Sequence, residues 1–163
     1  MQEIKELLAG LRGAPTVLAK LVEGISAERL HAWRGKGFWT IAQHVAHLAE
    51  VQPMLMERLE RMIREDCPKF VPFFPDEDTQ AAPKPELVVA DALDIFRRER
   101  SRQLALLDGL DDAAWGREAE HPEYERYGLR ILVRHMLMHE YWHMYRIEEL
   151  WLTKDEYLTQ LEG

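Results

Sequence analysis

The sequence predicts an all-α protein, a four-helix bundle, on three observations. Apolar residues recur at helical spacing through most of the chain, and convincing two-residue alternation is almost absent. The pattern resolves into four long amphipathic stretches. Between them lie connectors, one of them rich in proline and acid, with no sign of a second domain.

The first stretch, IKELLAGLRGAPTVLAKLVEGI, puts Ile4, Leu7, Leu8 and Leu11 on one face and continues with Val17, Leu18, Leu21 and Val22. Pro15 between them predicts a break or a new first turn. Ser26 in ISAERL is an N-cap for a short turn, and the two glycines of RGKGF mark a loop. Thr40 caps a second helix, IAQHVAHLAEVQPMLMERLERMIRED, with Ile41, Val45, Leu48, Val51, Leu55, Leu59 and Ile63 as its stripe. Pro53 should kink that helix, since proline lacks the amide proton and crowds the preceding turn.

CPKFVPFFPDEDTQAAPKP then reads as a long ordered loop between helices 2 and 3, pinned by Phe70, Phe73 and Phe74. The third helix runs from about Pro85 to Leu110, with Gly109 as its stop. Arg97, Arg98, Arg100 and Arg102 on it predict a solvated face paired with Glu99 and Asp94, or a place for a dianion. The connector DDAAWGREAEHPEYERYG leads to the fourth helix, LRILVRHMLMHEYWHMYRIEELWL. There Ile131, Leu132, His135, Met138, His139, Trp142, His143 and Ile147 share one side.

Composition narrows the function. The chain has 163 residues, 47% hydrophobic and 31% charged, which fits one domain over residues 1–163 with a full core. No apolar run is long enough for a membrane span, and the amphipathic N-terminus, with both charge signs, is no secretory signal. The lone Cys67 excludes an internal disulfide framework and fits a reducing, cytoplasmic setting. A formal net charge of −8 argues against nucleic acid, which requires a basic face.

Residues 139–143 read HEYWH, a match to the H-E-x-x-H pattern of zinc proteases. A protease would need a third ligand downstream. No histidine follows His143, and only Glu148, Glu149, Glu156 and Glu162 could serve. The sheet above such a cleft has no counterpart either. His44, His47, His135, His139 and His143 nevertheless fall on two amphipathic helices, where inward-facing imidazoles need partners and a metal supplies one to several rings at once. His135 and His143 are roughly 12 Å apart along a helix axis, too far for one ion. Helical spacing therefore leaves His135 with His139, or His139 with His143, and either His44 or His47 from the second helix. The alternative is a set of hydrogen-bonded core histidines.

FWTIAQHVAHLAEVQ and MLMHEYWHMYRIEEL resemble the two signature segments of the DinB/YfiT-like metalloenzyme superfamily. In that pattern a Trp-Ser/Thr pair opens the second helix, as Trp39 and Thr40 do here, and the metal-binding histidine comes eight residues after the tryptophan, at His47. The second segment is H-x-x-x-H, matched by His139 and His143. The resemblance thus selects His47, His139 and His143 as metal ligands and leaves out His44 and His135. Glu50 stands where many relatives have Asp.

The resemblance also implies a DinB-like four-helix bundle, a homodimer, and a divalent metal, zinc or nickel. It implies a small-molecule substrate, with low-molecular-weight thiols among the candidates, so the expected enzyme is a metal-dependent thiol S-transferase or hydrolase. A non-catalytic metal-binding or stress-response protein and a helical interaction module are the alternatives. No catalytic residue is assigned. Glu140 is a candidate general base or an exposed helix acid, and Glu50 a support for His47 or a solvated charge. His121 and Tyr124 are candidates to close over the site or ordinary surface residues. Tyr141, Trp142 and Tyr145 are expected to shape the bundle or a dimer face.

Overall fold

The structure is a computed structural model and describes residues 2–72 and 88–158. Four helical units pack around one axis: α1 (Gln2–Val22), the pair α3 (Ile41–Glu50) and α4 (Gln52–Arg64), α5 (Val89–Leu107) and α7 (Leu129–Leu152). Helix α1 packs on α5 and α7, and so does α3, so that α1 and α3 sit diagonally, as do α5 and α7. Short α2 (Ala27–Leu30) and α6 (Asp112–Trp115) lie in the connections, with a two-stranded antiparallel ribbon of β1 (Glu118–Ala119) and β2 (Tyr127–Gly128). Among the described residues no helix is long and apolar enough to cross a membrane. Phe73, Phe74, Pro85, Glu162 and most of the expected long loop lie outside the described residues.

Local signals explain most boundaries. Ser26 caps α2 by accepting from the Arg29 amide, and Gly35 and Gly37 take left-handed backbone before α3. Thr40 and Gln43 form a capping box on α3. Gly128 is required by a close approach: a Cβ there would meet the Arg117 carbonyl oxygen at 2.6 Å. That tight join sets the start of α7.

Three expectations are corrected. Helix α1 runs through Pro15 without a break, because Leu11, Ala14 and Leu18 on both sides are fully buried and hold the helix while one backbone hydrogen bond is forfeited. The second helix is divided at Val51, with Pro53 in the first turn of α4 and the Gln52 side chain donating to the Leu48 carbonyl at 2.6 Å. Past this division the stripe slips, so Met62 is buried and Ile63 only half-buried. On α7 the buried face is Leu132, Met136, Glu140, His143, Ile147 and Leu150, while Met138 and Trp142 face outward.

The core has two apolar parts. One gathers Leu7 and Leu11, Leu55, Leu59 and Met62, Leu107, and Leu132 with Met136. Phe70 belongs to it, buried beneath the Arg61 guanidinium at 4.9 Å. The other gathers Leu18, Val45, Leu48, Phe96, Met144 and Ile147. Between them along the helices lies a polar waist with Gln52, Arg100, Gln103, Glu140, His47 and His143, all largely buried. Buried polar groups need partners. Arg100 pairs with Glu140, and Gln103 donates to the Gln52 side chain at 3.0 Å.

Candidate metal centre

The waist opens between α3 and α7 onto a histidine cluster. The Thr40–Gln43 box fixes the first turn of α3, and Trp39 just before the cap packs on His44 with ring centroids 5.2 Å apart. That is the hydrophobic-staple relationship, which sets the angle at which the chain enters the helix. Trp39 also contacts the rings of His47 at 5.1 Å and His143 at 5.7 Å, walling one side of the cluster. On α7 the four-residue spacing puts His139 and His143 one above the other, facing α3.

His139 Nε2 lies 3.2 Å from His47 Nε2 and 3.1 Å from His143 Nε2. One ligating nitrogen from each of His47, His139 and His143 falls within 4.8 Å of the others. In a tetrahedral site with bonds of about 2.0–2.1 Å, donor atoms stand roughly 3.3 Å apart, so the spacing suits a single divalent ion. The chemistry agrees: without an ion, a single Nε2 proton on His139 has to be shared between the lone pairs of His47 and His143, whereas one cation suits all three lone pairs. Burial holds all three rings below their ordinary pKa, His47 at about 4, so the cluster presents neutral donors near pH 7.

The other candidates fall elsewhere. His135 is one turn before His139 and packs on Tyr124 at 5.1 Å, in a group with His121 and Tyr127 beneath the ribbon. His121 and Tyr124 therefore gather around His135, with His121 buried and Tyr124 exposed. Glu50 is exposed, as its solvated reading has it. Arg97 pairs with Asp94, and Arg98 and Arg102 with Glu99, as the helix face predicts. Arg100 departs from that face and turns inward.

Glu140 is corrected most. It is neither an exposed acid nor a base over the histidines: about 100° around α7 from His139, it points into the bundle and pairs with Arg100. Burial pushes its pKa up to about 7 against the opposing pull of Arg100. The H-E-x-x-H pattern is thus divided, its histidines toward α3 and its glutamate toward α5.

His44, which helical spacing kept as a candidate and the resemblance left out, is buried with Nδ1 2.8 Å from His143 Nδ1. The available signal was its place one turn into a capped helix, directly above Trp39. Trp142 sits edge-on to His143 at 4.7 Å and remains 44% exposed, on the rim of the cluster.

A family profile for the DinB superfamily matches residues 11–147. The chain belongs to the DinB superfamily. Two curated relatives of this DinB-superfamily chain carry the name "Putative metal-dependent hydrolase". The one from Geobacillus kaustophilus (strain HTA426) is 31% identical over 115 residues, covering 71% of this chain and 65% of the relative. The one from Geobacillus thermodenitrificans (strain NG80-2) is 29% identical over 116 residues, with the same coverage. The chain thus spans just under two thirds of the length of these relatives. Among solved structures, YfiT from Bacillus subtilis is described as "a probable metal-dependent hydrolase with an unusual four-helix bundle topology". It matches with a TM-score of 0.75 over 90% of this chain and 85% of its own, at 24% identity. That likeness shows the four-helix-bundle fold, and in this chain the diagonal placement of α1 and α3 departs from simple up-and-down neighbours.

Proposed function

We propose that this chain is a divalent-metal-dependent enzyme of the hydrolytic class acting on a small molecule, with His47, His139 and His143 as the protein ligands. The observation that carries the reading is the convergence of three imidazole nitrogens from α3 and α7. The names of the two Geobacillus relatives support hydrolysis. Zinc or nickel is the ion we assign, because imidazole donors suit late divalent metals. Such an ion supplies Lewis acidity, polarising a substrate carbonyl and making a neighbouring water or thiol more acidic.

The chain's own contribution is to hold three neutral rings in place and keep bulk water from their inner side. Trp39 supplies that wall, and Trp142 stands at the open rim. Because all three donors are uncharged, the ion would keep its full positive charge, which favours an anionic nucleophile. Glu140 is withdrawn into its pair with Arg100, so the proton acceptor for that nucleophile is a different group. Thiol transfer, implied by the family resemblance, would use the same ion. A homodimer fits the same reading, since Met138, Tyr141 and Tyr145 leave an exposed apolar face along α7 for a second copy to cover.

The test is elemental analysis of untagged protein after chelation and reloading with zinc or nickel, followed by ester, amide and thiol-conjugation assays. Near-stoichiometric metal, lost in His47→Ala, His139→Ala and His143→Ala, together with metal-dependent turnover, is the expected result. Folded wild type that takes up no metal would leave a helical interaction module. Metal without turnover would leave a non-catalytic binding protein.

A further inference from the structure

We infer that His44 is a positioning residue for the metal centre: its Nδ1 accepts the Nδ1–H of His143 and so fixes which nitrogen His143 offers to the ion. The inference rests on the metal reading above and adds to it a residue outside the ligand set.

The geometry carries it. The two rings of His143 and His44 meet through Nδ1 atoms 2.8 Å apart, with both residues 3% exposed. His143 Nε2 faces the other way, toward His139 Nε2 at 3.1 Å. A neutral imidazole carries one proton on its two nitrogens. For His143 to present a free lone pair at Nε2, that proton must sit on Nδ1, and a buried Nδ1–H needs an acceptor. The acceptor in reach is His44 Nδ1, so His44 must carry its own proton on Nε2. One hydrogen bond thereby sets the tautomers of both rings, and His143 enters the site with its lone pair already directed inward.

The surroundings hold His44 in that role. It stands one turn into α3 and packs against Trp39 at 5.2 Å, with Trp142 edge-on at 6.1 Å. Thr40 and Gln43 fix the helix start beneath it. His44 is directed at the outer nitrogen of a ligand, away from the point where His47, His139 and His143 converge, so it supports the site without entering it. Histidines that bind metals are generally oriented by such a bond to the second ring nitrogen, and its loss weakens metal binding by about 10–100-fold.

The experiment uses Co(II) as the probe, with wild type, His44→Leu, His44→Gln and His143→Ala compared for Co(II) affinity, release rate to a chelator and visible absorption spectrum. Circular dichroism confirms that each variant is folded. His44→Leu should bind one Co(II) at saturation, about 10–100-fold more weakly, with faster release and an altered spectrum. His44→Gln, whose carbonyl oxygen accepts the Nδ1–H, should recover most of the affinity and the wild-type spectrum, which a merely space-filling role would not predict.

Folded His44→Leu with wild-type affinity and spectrum would overturn the positioning role while leaving the metal reading intact. So would His44→Gln as impaired as His44→Leu. Loss of one ligand's worth of coordination in His44→Leu, with His143→Ala unaffected, would make His44 a ligand instead. Wild type that binds no Co(II) would remove the metal reading itself, and the positioning role with it.

Discussion

Glu140 and Arg100 form an ion pair in the middle of the bundle, with each side chain 1% exposed. Arg100 reaches across from α5, diagonal to α7, between the two apolar parts of the core. Arg100 Nε and Nη1 and Glu140 Oε2 are buried without a hydrogen-bond partner among the described residues. A buried pair of this kind is costly to halve. Glu140→Leu alone should destabilise by about 3–5 kcal/mol, because it leaves a buried guanidinium uncompensated. The double variant Arg100→Met with Glu140→Leu should recover much of that loss. Urea unfolding of the four proteins of the cycle measures it, and single variants costing under about 1 kcal/mol would contradict the pairing.

The neighbouring turns of α7 make a sharper comparison. His135 and His139 are one turn apart, yet His135 packs among Tyr124, Tyr127 and His121 while His139 faces His47 and His143. His135→Ala should keep near-stoichiometric zinc, and His139→Ala should lose it, by elemental analysis of chelated and reloaded protein. Zinc lost equally from both would place the ion lower on α7 than the three converging nitrogens.

Thr40 links the cap of α3 to the histidines it carries. Its side chain accepts the Gln43 amide at 3.1 Å, and the Gln43 side chain returns a bond to the Thr40 amide. Thr40→Ala should cost about 1 kcal/mol, within a range of roughly 0.5–2, and Thr40→Ser only a fraction of that. For a chain of this size about 1 kcal/mol lowers the melting temperature by roughly 2–4 °C, which calorimetry of metal-free protein resolves. Equal melting temperatures for all three proteins would show that the cap contributes nothing.

Acid should destabilise the metal-free protein through the same cluster. Burial lowers His44 to about 3 and His47 to about 4, and His139 and His143 are lowered as well. Between those values and about 6.5 the unfolded chain binds protons that the folded one refuses, so stability rises with pH across this window and levels off above it. Glu140 acts in the opposite sense, since its raised pKa makes the folded state the better proton binder between about 4.5 and 7. Four imidazoles outweigh one carboxyl. A net loss of stability is expected between pH 7 and pH 5, at up to about 1.4 kcal/mol per group per pH unit. Urea midpoints of chelated protein at half-unit steps test this, and a flat profile would mean the rings are not held neutral.

Chelation itself should lower stability at constant pH. A ligand that binds only the folded state stabilises it by about 2.7 kcal/mol at a hundredfold excess over its dissociation constant. Zinc added back should therefore raise the melting temperature of wild type and leave His143→Ala unchanged, measured side by side.

The sequence by itself determined the all-α class, the N-caps at Ser26 and Thr40 and the span of α7, because each depends on contacts within a few residues of chain. Periodicity also narrowed the candidate ligands to histidines on two helices, and the resemblance to the DinB family singled out three of them. Tertiary structure decided the rest. Periodicity gives the spacing of a helix's side chains but leaves its rotation in the bundle open, and division of the second helix at Val51 changes that rotation partway along. Only packing turned Glu140 and Arg100 toward each other, 40 residues apart in the chain, and joined His44 to His143 across 99. Both pairs are polar groups whose burial is tolerable only because a partner on another helix meets them, and no local pattern encodes that meeting.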